Sequence, residues 1–182
     1  MEKNKFRTVN RIKGIRPQDI VVLLKIVSIK HDIWNQANLA QALKMSIAEI
    51  SEALNRSKAV GLVDSKKRTV NIYSLIEFLI YGLKYVFPAE PGEVVKGIPT
   101  AHSASPVKDR LLKDTYFYVW PYEKGTMRGQ AIEPLHKSVP LIVKEDIYFY
   151  ELLTLVDALR IGREREIPVA TDELKKRLSK YK

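Results

Sequence analysis

The sequence contains no cysteine. That excludes disulfide staples, cysteine-ligated zinc and thiol nucleophiles, and it suits a reducing cytoplasm, the expected location. Histidine is scarce, with three residues: His31, His102 and His136. Long apolar runs are also missing. The greasiest segment, "YSLIEFLIYGLKYVF" (73–87), is shorter than the roughly 20 residues of a membrane span and is interrupted by Glu77 and Lys84. No membrane role is expected. The first 16 residues are basic and lack the apolar region of a secretory signal. The phosphate loop, the dinucleotide fingerprint, HExxH and GxSxG are all absent. No enzyme activity, catalytic residue, cofactor or metal is expected.

What is present is an ordinary core-forming composition with an excess of one charge. The 182 residues are 46% hydrophobic and 29% charged, enough to bury a core in one or two domains. The formal net charge is +10. Lys3, Lys5, Arg7, Arg11, Lys13 and Arg16 face only Glu2 in the N-terminal arm 1–16. Such an excess suits nucleic acid, an acidic protein or an anionic surface, and equally a solvated tail.

Pro17 opens a helix with Ile20, Leu24 and Val27 on its apolar face. "DIWNQ" interrupts it. A shorter helix, "NLAQALKM", turns Leu39, Ala42 and Leu43 inward. Ser46 with Glu49 three residues later is a capping-box pattern that starts a third helix, with Ile47, Ile50 and Leu54 as its buried face. After Gly61, Leu62 and Val63 read as a strand, 64–68 as a turn, and Val70, Ile72 and Tyr73 as the returning strand. Three helices and then a hairpin are the order of a winged helix-turn-helix. The stretch "WNQANLAQALKMSIAEISEALNRSKAVGLVDSKKRTVNIY" resembles the MarR-like winged-helix transcriptional regulators through Leu39-Ala40, Met45-Ser46, Leu54 and Gly61-Leu62-Val63. The resemblance covers residues 17–73. It implies a regulator that binds double-stranded DNA as a homodimer, with two reading helices about one DNA turn apart.

Downstream, Ser74 is placed to cap a helix through Phe87 that is apolar on nearly all sides, and this helix must be covered by the C-terminal half or by a second copy of the chain. "PAEPGEVVKGIPTAHSASP" (88–106) holds four of the nine prolines and two of the eight glycines, and reads as an extended connector. Residues 107–182 read as an α+β region for dimerisation, sensing or partner docking. It comprises a short helix around "VKDRLL", a strand "TYFYVW", a turn at Gly125, a second strand at "MRGQAI", a helix over 145–161 stopped by Gly162, and a last helix capped by Thr171. The fold class expected is thus α+β, mostly helical.

DNA binding requires phosphate neutralisation before base reading. Lys66, Lys67 and Arg68 occupy the hairpin tip, and Arg11 and Lys13 the arm. On the third helix the outward positions are Ala48, Glu49, Ser51, Glu52, Asn55 and Arg56, with Ser46 at its start. Asn55 suits adenine, and Arg56 suits guanine or a phosphate. Glu49 belongs to the cap, whereas Glu52 either accepts from cytosine or pairs with Arg56 four residues on. The alternative is an antitoxin or defence-system component whose winged helix and C-terminal region bind a partner protein. In that reading "LVDALRIGREREIPVATDELKKRL", with Arg160, Arg163 and Arg165 alternating with Glu164 and Glu166, is a docking surface. A helix dipole and solvated ion pairs explain the same charges.

Overall fold

The computed structural model describes residues 14–30, 33–67, 69–111 and 116–181. Pro17 stands at the first position of α1 (Pro17–Ile29), where its missing N–H costs nothing. Ile20, Leu24 and Val27 are buried as expected. Asn35 caps α2 (Gln36–Leu43) by accepting from the Asn38 N–H at 2.8 Å. Leu39 and Leu43 point inward together with Ala40, and the expected Ala42 is only half-buried.

Ser46 and Glu49 form a full capping box on α3 (Ile47–Ala59). Ser46 Oγ accepts from the Glu49 N–H at 3.1 Å, and Glu49 Oε2 accepts from the Ser46 N–H at 2.8 Å. The bonds that its carboxylate accepts from the Ser46 N–H and the Ser46 hydroxyl hold Glu49 below its usual range. The buried face is Ile50, Ala53, Leu54 and Ser57. Ile47 is a correction: it lies on the outer side of the first turn, 55% exposed, whereas Ile50 in the same turn is fully buried.

The hairpin after Gly61 is bridged between Val63 and Val70. Gly61 turns the chain out of α3 at φ +78°, a left-handed conformation that favours glycine. The returning strand stops early. Asn71 accepts from the Ser74 N–H and caps α4 (Ile72–Glu77), so Ile72 and Tyr73 are helical, and the cap is Asn71, not Ser74. The helix continues through a π turn, Phe78–Gly82, into α5 (Leu83–Val86). Leu75, Leu79 and Leu83 are buried, with α7 and α8 supplying the cover, so the C-terminal half hides one face of this helix.

The connector expectation over 88–106 fails. Its centre is β1 (Val94–Pro99), and residues 100–104 are buried. β1 pairs antiparallel with both β2 (Tyr118–Pro121) and β3 (Met127–Ala131), which in turn pair parallel to each other, closing a small three-stranded barrel. Two strands joined by so short a link would ordinarily form an antiparallel hairpin. Here the link crosses β1 at Gly97, which pairs with Pro121 on one side and Met127 on the other. Only glycine permits the crossing. A Cβ at Gly125 would sit 2.2 Å from the Gly97 carbonyl oxygen, and one at Gly97 would sit 2.1 Å from that of Trp120.

The "VKDRLL" segment supplies one 3₁₀ turn, Lys108–Arg110. After the short α6 (Val139–Ile142) comes α7 (Ile147–Ile161), with Leu152, Val156 and Leu159 buried and Gly162 at its end. Gly162 is needed for space, since a Cβ there would lie 2.0 Å from the Ala158 carbonyl oxygen. The last helix, α8 (Glu166–Leu178), begins five residues before the expected cap, so Thr171 lies inside it. The whole is α+β and mostly helical, around one contiguous apolar core. Among the described residues, no helix is long and apolar enough to cross a membrane.

Asp146 ties the two halves together. It caps α7 through the Phe149 N–H at 2.9 Å and accepts from Lys25 Nζ at 2.7 Å and Ser28 Oγ at 2.9 Å, both on α1. Burial pushes its pKa upward, but the Lys25 ammonium and the donated bonds outweigh this and hold it below the ordinary value. A depressed folded pKa means the stabilisation is complete above the unfolded value of about 3.9 and is lost as pH falls through the folded one. Asp146→Ala is therefore expected to cost about 1–2 kcal/mol at neutral pH. In urea titrations the gap between wild type and variant should narrow below about pH 4.

Candidate nucleic-acid interface

The outer face of α3 and the hairpin beside it form the candidate surface. Ser46, Ala48, Glu52 and Asn55 are exposed and Ser51 is half-buried. Lys66 is exposed and Lys67 half-buried at the hairpin tip. Asp64 shapes that tip: its carboxylate accepts from the Lys66 N–H at 3.3 Å and the Thr69 N–H at 2.9 Å. Lys67 takes a left-handed conformation, φ 57°, and donates from Nζ to Asn55 Oδ1, joining hairpin to helix. Trp34, Asn35, Gln36, Leu54, Lys66 and Lys67 enclose a cavity of about 440 Å³ between α2, α3 and the hairpin. Arg11, Lys13 and Arg68 lie outside the described residues, as does His31.

Arg56 does not belong to this surface. It sits at the edge of the buried arc, beside Ser57, and its side chain turns inward until only 5% is exposed. There it donates from Nε to Asp19 Oδ2 at 2.8 Å and from Nη2 to Asp19 Oδ1 at 2.7 Å. Asp19 itself is wholly buried and also accepts from the Arg16 N–H at 2.9 Å. The bonds to Asp19 raise the Arg56 pKa further. Its remaining arm, Nη1, meets Glu52 Oε2 at 3.2 Å, the pairing expected four residues apart. Arg56 thus fastens α3 to α1 and has no guanidinium left for guanine. The periodicity could have flagged it only through Asp19, whose place in the first turn of α1 reads as an ordinary capping acid.

Two features of the surface escaped the sequence. The exposed Ile47 puts an apolar side chain at the leading end of α3. Distant in the chain, His136 and Lys137 add a smaller electrostatic contribution to the depression of the Glu49 pKa, behind the two hydrogen bonds from Ser46. Burial lowers the His136 pKa and keeps the ring toward its neutral form, while Glu49 acts in the opposite direction. Lys137 beside it is exposed.

His102 and His136 stand in different surroundings. His136 Nδ1 is 2.8 Å from Ser138 Oγ. His102 is buried, with Nε2 3.0 Å from the Tyr116 carbonyl oxygen and Nδ1 3.7 Å from the buried Glu166. Arg160 does not form an exposed docking surface either: its side chain is buried against Asp157 at 2.7 Å and the Phe87 carbonyl at 3.0 Å. Arg163 lies over the Tyr116 ring, 4.6 Å from its centroid. No group of three or more potential ligands for a metal occurs among the described residues. No protein-family model, no curated protein and no solved structure matches this chain.

Proposed function

We propose that the protein is a winged helix-turn-helix regulator that binds double-stranded DNA sequence-specifically, probing the major groove with α3 as a homodimer. The observation that carries this reading is the adjacency of the exposed face of α3 to a hairpin tip bearing Lys66 and Lys67. The order α1, α2, α3 and bridged hairpin supports it, as does the net charge of +10. Lys66, Lys67 and Lys137 meet phosphates, with Arg68, Arg11 and Lys13 as further cations of the same chain. Asn55 reads adenine once Lys67 turns to a phosphate, and Ile47 offers an apolar contact to a thymine methyl. Ser46, Ala48 and Ser51 line the approach. Glu52, held by Arg56, accepts from cytosine N4 or stays in its pair.

Binding to genomic fragments at rising salt tests this. Each lost phosphate contact is expected to reduce the slope of log affinity against log salt by about 0.9, so Lys66→Ala with Lys137→Ala should reduce it by about 2. Asn55→Ala is expected to lower the preference for the selected fragment by about 1–3 kcal/mol while leaving the slope unchanged. No preferred fragment, together with an unchanged slope in the lysine variants, would sink the DNA reading. The exposed Ile33 and Ile47 favour the alternative, a protein partner docked on this end of the molecule. A stoichiometric partner retained in high salt would support it.

A further inference from the structure

The helix formed by α4, the π turn and α5 has one face in the core and another in solvent. Tyr73, Glu77, Tyr81 and Tyr85 recur at a spacing of four, and all four are exposed. In a regular α-helix a spacing of four drifts by about 40° per step, which would spread these residues over about 120°. The π turn Phe78–Gly82 lies within the stripe and takes up part of that drift. The three tyrosines are 88%, 66% and 75% exposed. Val86 and Val60 are exposed beside them, and an apolar groove of about 780 Å³ runs along the stripe between Phe78, Gly82 and Leu62.

The stripe is self-complementary. If two copies of the helix cross antiparallel about a two-fold axis at residue 79, Tyr73 faces the other copy's Tyr85, and Glu77 faces the other copy's Tyr81. Each contact occurs twice. The phenol of Tyr81 then donates to a carboxylate, and the paired Tyr73 and Tyr85 rings cover each other and the groove. The area is consistent with this partner. At roughly 200 Å² per tyrosine, the exposed fractions supply about 450 Å² from each copy, or about 900 Å² in all before Val60 and Val86 are added. That places the contact at the small, transient end of specific interfaces.

We propose that this stripe is an isologous dimer interface, its occupant a second copy of the chain held by reciprocal Glu77–Tyr81 hydrogen bonds. This identifies the dimer contact that the regulator reading requires, and so it rests on that reading, although the contact itself does not involve DNA.

Sedimentation equilibrium of the full chain over a wide range of concentrations tests the interface, with circular dichroism confirming that each variant is folded. Wild type should self-associate reversibly. Tyr81→Glu sets carboxylate against carboxylate twice and should weaken association by at least about tenfold. Tyr81→Lys, which offers an ammonium to Glu77, should retain it. Adding Glu77→Lys to Tyr81→Glu reverses both charges and should restore association, which loss of general packing would not allow. A monomeric wild type, or a Tyr81→Glu protein that dimerises like wild type, overturns the proposal. Mobility shifts run on the same samples separate the two ideas: a monomer that still binds a preferred DNA fragment removes this interface and leaves the DNA reading in place.

Discussion

Arg56→Ala is expected to lower the unfolding free energy by about 3–5 kcal/mol, because it leaves the Asp19 carboxylate buried and without its counter-ion. For a chain of this size that corresponds to a fall in Tm of roughly 6–20 °C, measurable by calorimetry. The reasoning depends on the asymmetry between breaking a buried pair and replacing it. Asp19 is wholly buried and holds both guanidinium bonds as well as the Arg16 N–H. Removing the arginine forces the carboxylate to stay charged in an apolar setting or to take up a proton. Asp19→Leu combined with Arg56→Met removes both charges and should recover much of the loss, since two well-packed apolar side chains are often as stable as a buried ion pair. Glu52→Ala, in contrast, removes one exposed acid from the edge of the network and should cost no more than about 1 kcal/mol. A loss below about 1 kcal/mol for Arg56→Ala would show that Arg56 is free to leave Asp19, and would return it to the list of base-reading candidates.

Asp157→Ala is expected to have an effect of similar size, about 3–5 kcal/mol, and for a related reason. Asp157 Oδ2 accepts from the Trp120 indole N–H at 2.6 Å and from Thr100 Oγ1 at 2.9 Å, while Oδ1 accepts from Arg160 at 2.7 Å. One carboxylate on α7 thus anchors β2, the end of β1 and the arginine that reaches back to the Phe87 carbonyl. Alanine would orphan two buried donors, Thr100 Oγ1 and the Trp120 indole N–H, and leave Arg160 without its counter-ion. Asp157→Asn keeps the shape and one accepting oxygen, so it should cost distinctly less than alanine. Urea unfolding of the two variants gives the comparison, and equal losses would mean that packing, not the donated bonds, holds the barrel on α7.

Both predictions concern residues whose types were plain and whose surroundings were hidden. The three N-terminal helices, the capping box of Ser46 and Glu49, the pair of Glu52 and Arg56, and the inward faces of α1 and α7 were legible because local spacing decides them. Caps satisfy backbone groups within three residues, and apolar periodicity reports a face whatever covers it. Ile72 and Tyr73 carry the β-branched and aromatic signal of a returning strand, and Asn71 as a cap tips the balance to helix. Thr171 has the residue type of a cap, but Glu166 accepts from the Arg163 N–H and opens α8 upstream.

Sequence by itself determined that this chain is a cationic α+β protein, mostly helical, with an amphipathic α3 followed by a lysine-bearing turn. Those properties follow from composition, caps and periodicity, all of which act within a few residues. Tertiary structure alone decided that 88–106 supplies a strand and not a linker, since a strand's partners lie elsewhere in the chain and leave no mark on its own sequence. It also decided that Arg56 faces inward to Asp19, thirty-seven residues away. A long charged side chain goes where a buried opposite charge outweighs its hydration, and that place exists only once the helices have packed.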